Sequence, residues 1–307
     1  MNNSKISKKY LPLYIILRSI IFIMSYIPLP VGRFMGNILG FTAACLPMGR
    51  HSVAMENIEK SLIGKNMTGE EIKRLTIGVY MHYGRVLFEI PHVFRLNNNN
   101  VHKYFEVEGG ENLENALRKG KGVLALTAHL GNWELMAVAV NMLFGKVAAV
   151  ARPMRNQAVN LLIQKLRTHC GMEVIPKQKA MRKIMAALKK NMILGILLDQ
   201  SVDWYEGEFL PFIGRTACVN KGLALLAMKT GSPVLPIFAL GQENGRYRIH
   251  IGKAVDIVNT GDKTSDLEAN TLIFTRLIEE QVIKYPDQWF WFHRRWKTAN
   301  CCPLPRD

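Results

Sequence analysis

Two apolar stretches open the chain: YLPLYIILRSIIFIMSYIPLP at 10–30 and FMGNILGFTAACLPMG at 34–49. About 20 mostly apolar residues can span a hydrocarbon core. Arg18 interrupts the first stretch, and a charge at the bilayer centre is costly. The length fits a spanning helix. The charge fits an interfacial helix whose Arg18 snorkels to water. A buried core helix is the third alternative, and a cleaved signal peptide is disfavoured because no small-x-small site follows the run cleanly. The second stretch favours an embedded or surface-lying pair of helices. Tyr10, Tyr14 and Tyr26 lie near the ends of the first stretch, as an interfacial belt requires.

Residues 50–96 carry helical periodicity, in HSVAMENIEKSLIG and then TGEEIKRLTIGVYMHYGRVLFEI. Thr68 is a candidate cap for the second helix, with Glu70 and Glu71 in its first turn. The run Asn97–Asn100 reads as a loop and a domain boundary. Beyond it, short apolar runs alternate with helical patterns. The predicted strands are 104–108, 122–128, 147–151, 173–175, 193–198, 233–239 and 246–251. The predicted helices are 111–119, 132–143, 156–169, 178–190, 218–230 and 265–284. Such alternation predicts an α/β fold, a mixed and mostly parallel central sheet flanked by helices. The expected organisation is an N-terminal anchor or interfacial pair at 1–49, a helical segment at 50–100 and an α/β domain at 101–307. Ligands in such sheets bind beyond the carboxyl ends of the strands.

Charge narrows the partners. The 307 residues hold 40 basic and 24 acidic side chains, a net charge of +16. A surplus of this size points to nucleic acid, an anionic membrane, a phosphorylated substrate or an acidic protein. Nucleic acid is disfavoured, because the basic residues are not interleaved with aromatics in a recognisable module. The stretch KQKAMRKIMAALKK at 177–190 holds six basic residues and no acidic one. It is either a docking face or a solvated helix face, with Met181, Ile184, Met185 and Leu188 expected in the core. The five cysteines show no CxxC spacing and read as reduced thiols, with Cys301 and Cys302 adjacent. No metal site is expected.

The candidate chemistry lies in TAHLGNWEL, 127–135, directly after a predicted strand. Inside one helix His129 and Glu134 would face about 140° apart. They can meet only if His129 precedes the helix. Gly131 allows a sharp turn there and Asn132 can cap the helix. Glu134 would then sit in the first turn and reach back to an imidazole nitrogen, with helix N–H groups free beside it. A carboxylate fixes the tautomer of a histidine and stabilises its imidazolium. The chain has no GxSxG, HExxH or GxxxxGK[ST] motif. A general base acting on a substrate hydroxyl is the chemistry that remains. An ordinary cap with a first-turn acid is the bland alternative.

In order along the chain stand RHSVAMENIEKSL (50–62), TAHLGNWEL, ARPMRN (151–156), LLDQS (197–201), GEFLPFIGRTACVNKGLALLAMKTGSPVLPIF (207–238) and DQWFWFHRRWKT (287–298). Together these resemble the blocks of the lysophospholipid acyltransferase superfamily, and more narrowly the late acyltransferases of lipid A biosynthesis. The resemblance implies transfer of a fatty acyl chain from an acyl carrier protein thioester to a hydroxyl of a phosphorylated, Kdo-bearing lipid A precursor. It implies no resident cofactor, and a cytoplasmic catalytic domain at the inner membrane. By the same resemblance His129 is the general base and Glu134 its partner. Backbone N–H groups near Gly131 and Asn132, with Arg152, would support the oxyanion, and Asp199 and Gln200 would line the site. Arg215 would hold phosphate, although the FPEGTR-like form of its block is missing, and Arg294 and Arg295 would bind anionic head groups or pack the C-terminus. Two alternatives stay open: an acyltransferase for another glycolipid or lysophospholipid, using acyl-CoA or a carrier protein, and a non-catalytic basic membrane-binding protein.

Overall fold

The computed structural model describes residues 6–46, 50–178 and 180–297. The helical half comprises α1 (Leu11–Ser25), α2 (Leu29–Cys45), α3 (His51–Glu59), α4 (Gly69–Glu89) and the single turn α5 (Val101–Tyr104). Then follow β1 (Phe105–Glu108), α6 (Gly110–Arg118), β2 (Val123–Thr127), α7 (Trp133–Phe144), β3 (Val147–Ala151), α8 (Gln157–Thr168), β4 (Glu173–Pro176), α9 (Met181–Lys189) and β5 (Ile193–Leu197). The chain continues through β6 (Gly207–Phe212), β7 (Arg215–Asn220), α10 (Gly222–Thr230), β8 (Val234–Gly241), β9 (Tyr247–Ile251) and α11 (Lys263–Lys284).

Seven strands form one sheet in the order β1-β9-β8-β2-β5-β3-β4. Only the β8–β9 pair is antiparallel, so the expected mixed, mostly parallel sheet is present. All five residues of β2 are buried, as a central strand covered on both faces requires. Its alternate side chains feed two cores: Leu124 and Leu126 enter the one beneath α3, α4, α10 and α11, and Val123 and Ala125 enter the one beneath α6 and α7.

The seven predicted strands all form, within a residue or two of their expected ends. The hairpin β6–β7 was not expected. Its turn is Ile213-Gly214, both at positive φ (48° and 77°). A β-branched residue is a poor signal for such a turn, which normally announces itself as Asn-Gly. The expected helix at 218–230 therefore starts at Gly222, its first residues being strand. Met181, expected in the core, is half exposed at the start of α9, while Ile184 and Leu188 are buried.

The N-terminal apolar stretch is broken at Ile27-Pro28 into α1 and α2, and no helix among the described residues is long and apolar enough to cross a membrane. The spanning helix, one of the alternatives open for 10–30, is thus not found among the described residues. The inward face of α2 is Gly32, Gly36, Gly40 and Ala44, all buried, at four-residue spacing. A Cβ at Gly36 would strike the backbone of Gly84 and Arg85, and one at Gly40 that of Tyr80 and Met81. Backbone therefore packs on backbone between α2 and α4. The opposite faces expose Ile15, Phe22, Ile23, Phe34, Ile38 and Phe41, large apolar side chains each more than half exposed.

The predicted cap of α4 is present as a reciprocal box: the Thr68 hydroxyl accepts from the Glu71 amide, and the Glu71 carboxylate accepts from the Thr68 amide. Cys45 and Cys170 are free thiols, and Cys218 is buried. Cys301 and Cys302 lie outside the described residues.

Candidate active site

Strands β2 and β5 are parallel neighbours with Thr127 opposite Leu197. Two residues beyond these partners stand His129 and Asp199. Their side chains meet: His129 Nδ1 lies 2.8 Å from Asp199 Oδ1. Asp199 Oδ2 accepts from the His129 amide at 3.1 Å and from the Trp289 indole at 2.9 Å. The carboxylate is 3% exposed. Burial alone would raise its pKa, but the facing imidazole and these donors together hold it below the usual range. With the His129 proton on Nδ1, Nε2 offers a lone pair, and the Gln200 amide nitrogen sits 3.2 Å from it.

Glu134 does not hold His129, contrary to the expectation from spacing. Its two oxygens accept from Nε and Nη2 of Arg167 on α8, a bidentate ion pair. The reason is geometric. His129 does precede α7, but its Nδ1 is turned to β5, where Asp199 is already buried and fixed. The motif's histidine and acid therefore serve different partners.

The turn after His129 has the predicted form. Gly131 takes φ 61°, and a Cβ there would strike the Ala239 carbonyl. Asn132 Oδ1 accepts from the Leu135 amide and caps α7. The backbone amides expected to be free are not. Gly131 N–H donates to the Gln288 carbonyl at 3.0 Å and Asn132 N–H to the Ala239 carbonyl at 3.2 Å. Both are spent on holding the turn, so neither can serve an oxyanion.

Helix α4 supports the turn from outside. Tyr83 donates its hydroxyl to the carbonyls of His129 and Gln288, both at 3.0 Å. His82 Nε2 lies 3.2 Å from the Gly131 carbonyl, and burial pushes its pKa down to about 4, so it donates as the neutral imidazole. The C-terminal segment closes the other side: the Phe290 amide donates to the His129 carbonyl, and Leu130 bridges Trp289. Trp133 and Phe290 flank the imidazole, with ring centroids 4.9 and 6.2 Å away. The His129 side chain is 20% exposed.

Beside this turn a narrow apolar cavity runs between the sheet and α7. Thr127, Trp133 and Leu197 line it near His129, and Ala137, Ala149 and Gly195 farther in. Glu134 and Arg167 also border it.

The remaining expected residues separate. Arg152 is exposed just past β3, close enough to Tyr205 to influence its hydroxyl. Arg215 lies over the Trp296 ring at 4.3 Å, in a distinct cleft with Arg294, Lys297 and Glu56. Arg295 is 1% exposed, donates to the Cys218 carbonyl at 2.6 Å and sits over Phe212. Burial lowers its pKa to about 10. It packs the fold and cannot reach a head group. Among the described residues no cluster of metal ligands occurs.

A histidine paired through Nδ1 with a buried aspartate thus stands at the end of β2, partly exposed and beside an apolar cavity. The chain matches the family described as bacterial lipid A biosynthesis acyltransferase over residues 4–298, and it belongs to that family. It is an acyltransferase. It is 26% identical over 274 residues to the lipid A biosynthesis palmitoleoyltransferase of Escherichia coli (strain K12), covering 89% of this chain and 87% of the relative. It is 22% identical over 284 residues to the lipid A biosynthesis lauroyltransferase of the same organism, covering 91% and 89%. It is also 21% identical over 231 residues to the phosphatidylinositol mannoside acyltransferase of Mycolicibacterium smegmatis, covering 74% and 73%.

Proposed function

We propose that the enzyme moves a fatty acyl chain from an acyl carrier protein thioester to a hydroxyl of a Kdo-bearing lipid A precursor. The observation that carries this reading is the His129–Asp199 pair, which stands beside an apolar cavity. The acceptor hydroxyl takes the place of the Gln200 amide at Nε2. His129 removes its proton as the oxygen attacks the thioester carbonyl, and Asp199 stabilises the imidazolium that forms. The Gln200 amide, displaced from Nε2, is then a donor for the developing oxyanion. Collapse of the intermediate expels the carrier's thiolate, which takes the proton from His129. No covalent acyl-enzyme is needed.

The acyl chain enters the cavity between the sheet and α7, with the Glu134–Arg167 pair fixing α7 to α8 along its edge. The cleft of Arg215, Arg294 and Lys297 suits an anionic head group, three cations facing Glu56. The hairpin α1–α2 lies on the cytoplasmic leaflet of the inner membrane, its apolar faces in the interface and its flanking lysines toward anionic lipid.

The test is mass spectrometry of the lipid formed when purified enzyme meets the Kdo-bearing precursor and a mixture of acylated carrier proteins. The product is expected to gain the mass of one acyl chain. No gain with carrier proteins but a gain with acyl-CoA would overturn the donor. No gain with this precursor from either donor would overturn the acceptor.

A further inference from the structure

Asn132 is buried completely, and all its polar groups are in use. A helix cap alone does not require asparagine, since Asp, Ser and Thr cap comparably. What demands an amide here is a second bond. Asn132 Nδ2 donates at 3.0 Å to Glu89 Oε2, a carboxylate at the buried end of α4 that is itself 2% exposed. Glu89 also accepts from the Tyr247 hydroxyl of β9 at 2.5 Å and from Arg33 Nε of α2 at 2.6 Å. An aspartate at 132 would cap α7 but set one carboxylate against another.

The bonds form a chain. Arg33 neutralises Glu89, Glu89 holds the Asn132 amide, and Asn132 caps α7 through Oδ1 while its own amide is anchored on Ala239. His129 lies three residues earlier on the same turn. Nothing in the chemistry of acyl transfer places Glu89 at the reacting atoms, and a buried ion pair is weak support for stability.

We propose that Glu89 is a positioning residue for the transfer reaction: its carboxylate fixes Asn132 and so keeps the His129 turn in register with Asp199. This rests on the reading of His129 as the general base. Glu89 is the point where the apolar hairpin, through Arg33, touches the support of the catalytic turn.

Two double variants separate positioning from charge balance. Glu89→Gln with Arg33→Met removes the charges but leaves an amide oxygen for Asn132. Glu89→Met with Arg33→Met removes the charges and the acceptor together. Each full-length protein is compared for kcat, KM, Tm and the low-field proton NMR signal of His129 Nδ1, assigned by its loss in His129→Ala. Positioning predicts wild-type kcat and signal in the Gln/Met protein. It predicts a kcat loss of about 10- to 100-fold with unchanged KM, and a shifted or broadened signal, in the Met/Met protein. Equal behaviour of the two folded proteins overturns the proposal. Should the Met/Met protein not fold, Asn132→Ser retains a cap and severs the contact: the same kcat loss supports the proposal, and full turnover overturns it. If the wild type transfers no acyl chain, the assigned reaction falls, while the NMR comparison still decides whether Glu89 holds the turn.

Discussion

His129 and Asp199 meet at 2.8 Å across the seam between β2 and β5, each two residues beyond a paired strand end. The acid that shares the histidine's motif, Glu134, is committed to Arg167. The two carboxylates therefore have separable effects. His129→Ala should lose about 10²–10⁴-fold in kcat while remaining folded. Asp199→Asn should lose a similar factor, about 10³–10⁴-fold, because an amide can stabilise the wrong tautomer. Glu134→Gln should lose far less in kcat and show its effect in KM or in the acyl chain accepted. Steady-state kinetics with saturating acceptor check all three, and a kcat loss in Glu134→Gln matching that in His129→Ala would restore Glu134 as the histidine's partner.

Gly195 borders the cavity, and a Cβ there would find only the Ala148 carbonyl, at 3.8 Å. Gly195→Val should fold and shorten the cavity. Long-chain donors should lose about tenfold or more in kcat/KM for each methylene excluded, and short-chain donors little. Competition between acylated carriers of different length, read by mass spectrometry, measures the shift.

Acid should destabilise the enzyme below neutral pH. His82 keeps its proton off in the folded protein until about pH 4, because burial opposes the charge, whereas an unfolded histidine is protonated below about 6.5. The unfolded state thus binds more protons in this window, and stability falls as pH drops from 6.5 to 4, by about 3 kcal/mol from this side chain. Asp199, held low by His129, acts in the same direction at lower pH. His82→Gln, which retains a donor for the Gly131 carbonyl, should flatten the dependence, as followed by denaturant unfolding at stepped pH.

The glycine contact between α2 and α4 should tolerate no side chain. Gly84→Val would press on the Gly36 carbonyl and Gly40 amide, at a cost of roughly 1–3 kcal/mol or more. Limited proteolysis should then open the α1–α2 hairpin, and turnover should fall as Arg33 leaves Glu89.

Much of this was legible in the chain. The strands, the turn at Gly131, the cap at Asn132 and the box at Thr68 each follow from local rules of periodicity and capping. The partner of His129 is not local. It depends on which strand lies beside β2, and periodicity carries no such information. A signal did exist: VLALTAH and ILGILLD both place a polar side chain two residues past a five-residue strand, so adjacent parallel strands would bring the two together. The role of the C-terminal block escaped for the same reason. Its two adjacent arginines drew the expectation of head-group binding or of packing, which Arg295 does, yet the Trp289 indole, the Gln288 carbonyl and the Phe290 amide are what touch the site. The hairpin β6–β7 was hidden by an isoleucine in a glycine's conformation.

The stacked glycines of α2 have one more consequence. With backbone lying on backbone, the hairpin has no side-chain layer to slip on, so its greasy outer surface and the imidazole are fixed at a constant separation. Seated on a leaflet, such a protein would work at one altitude: a sugar-borne hydroxyl would meet the base only where it projects to that height, making vertical reach a criterion of acceptor choice.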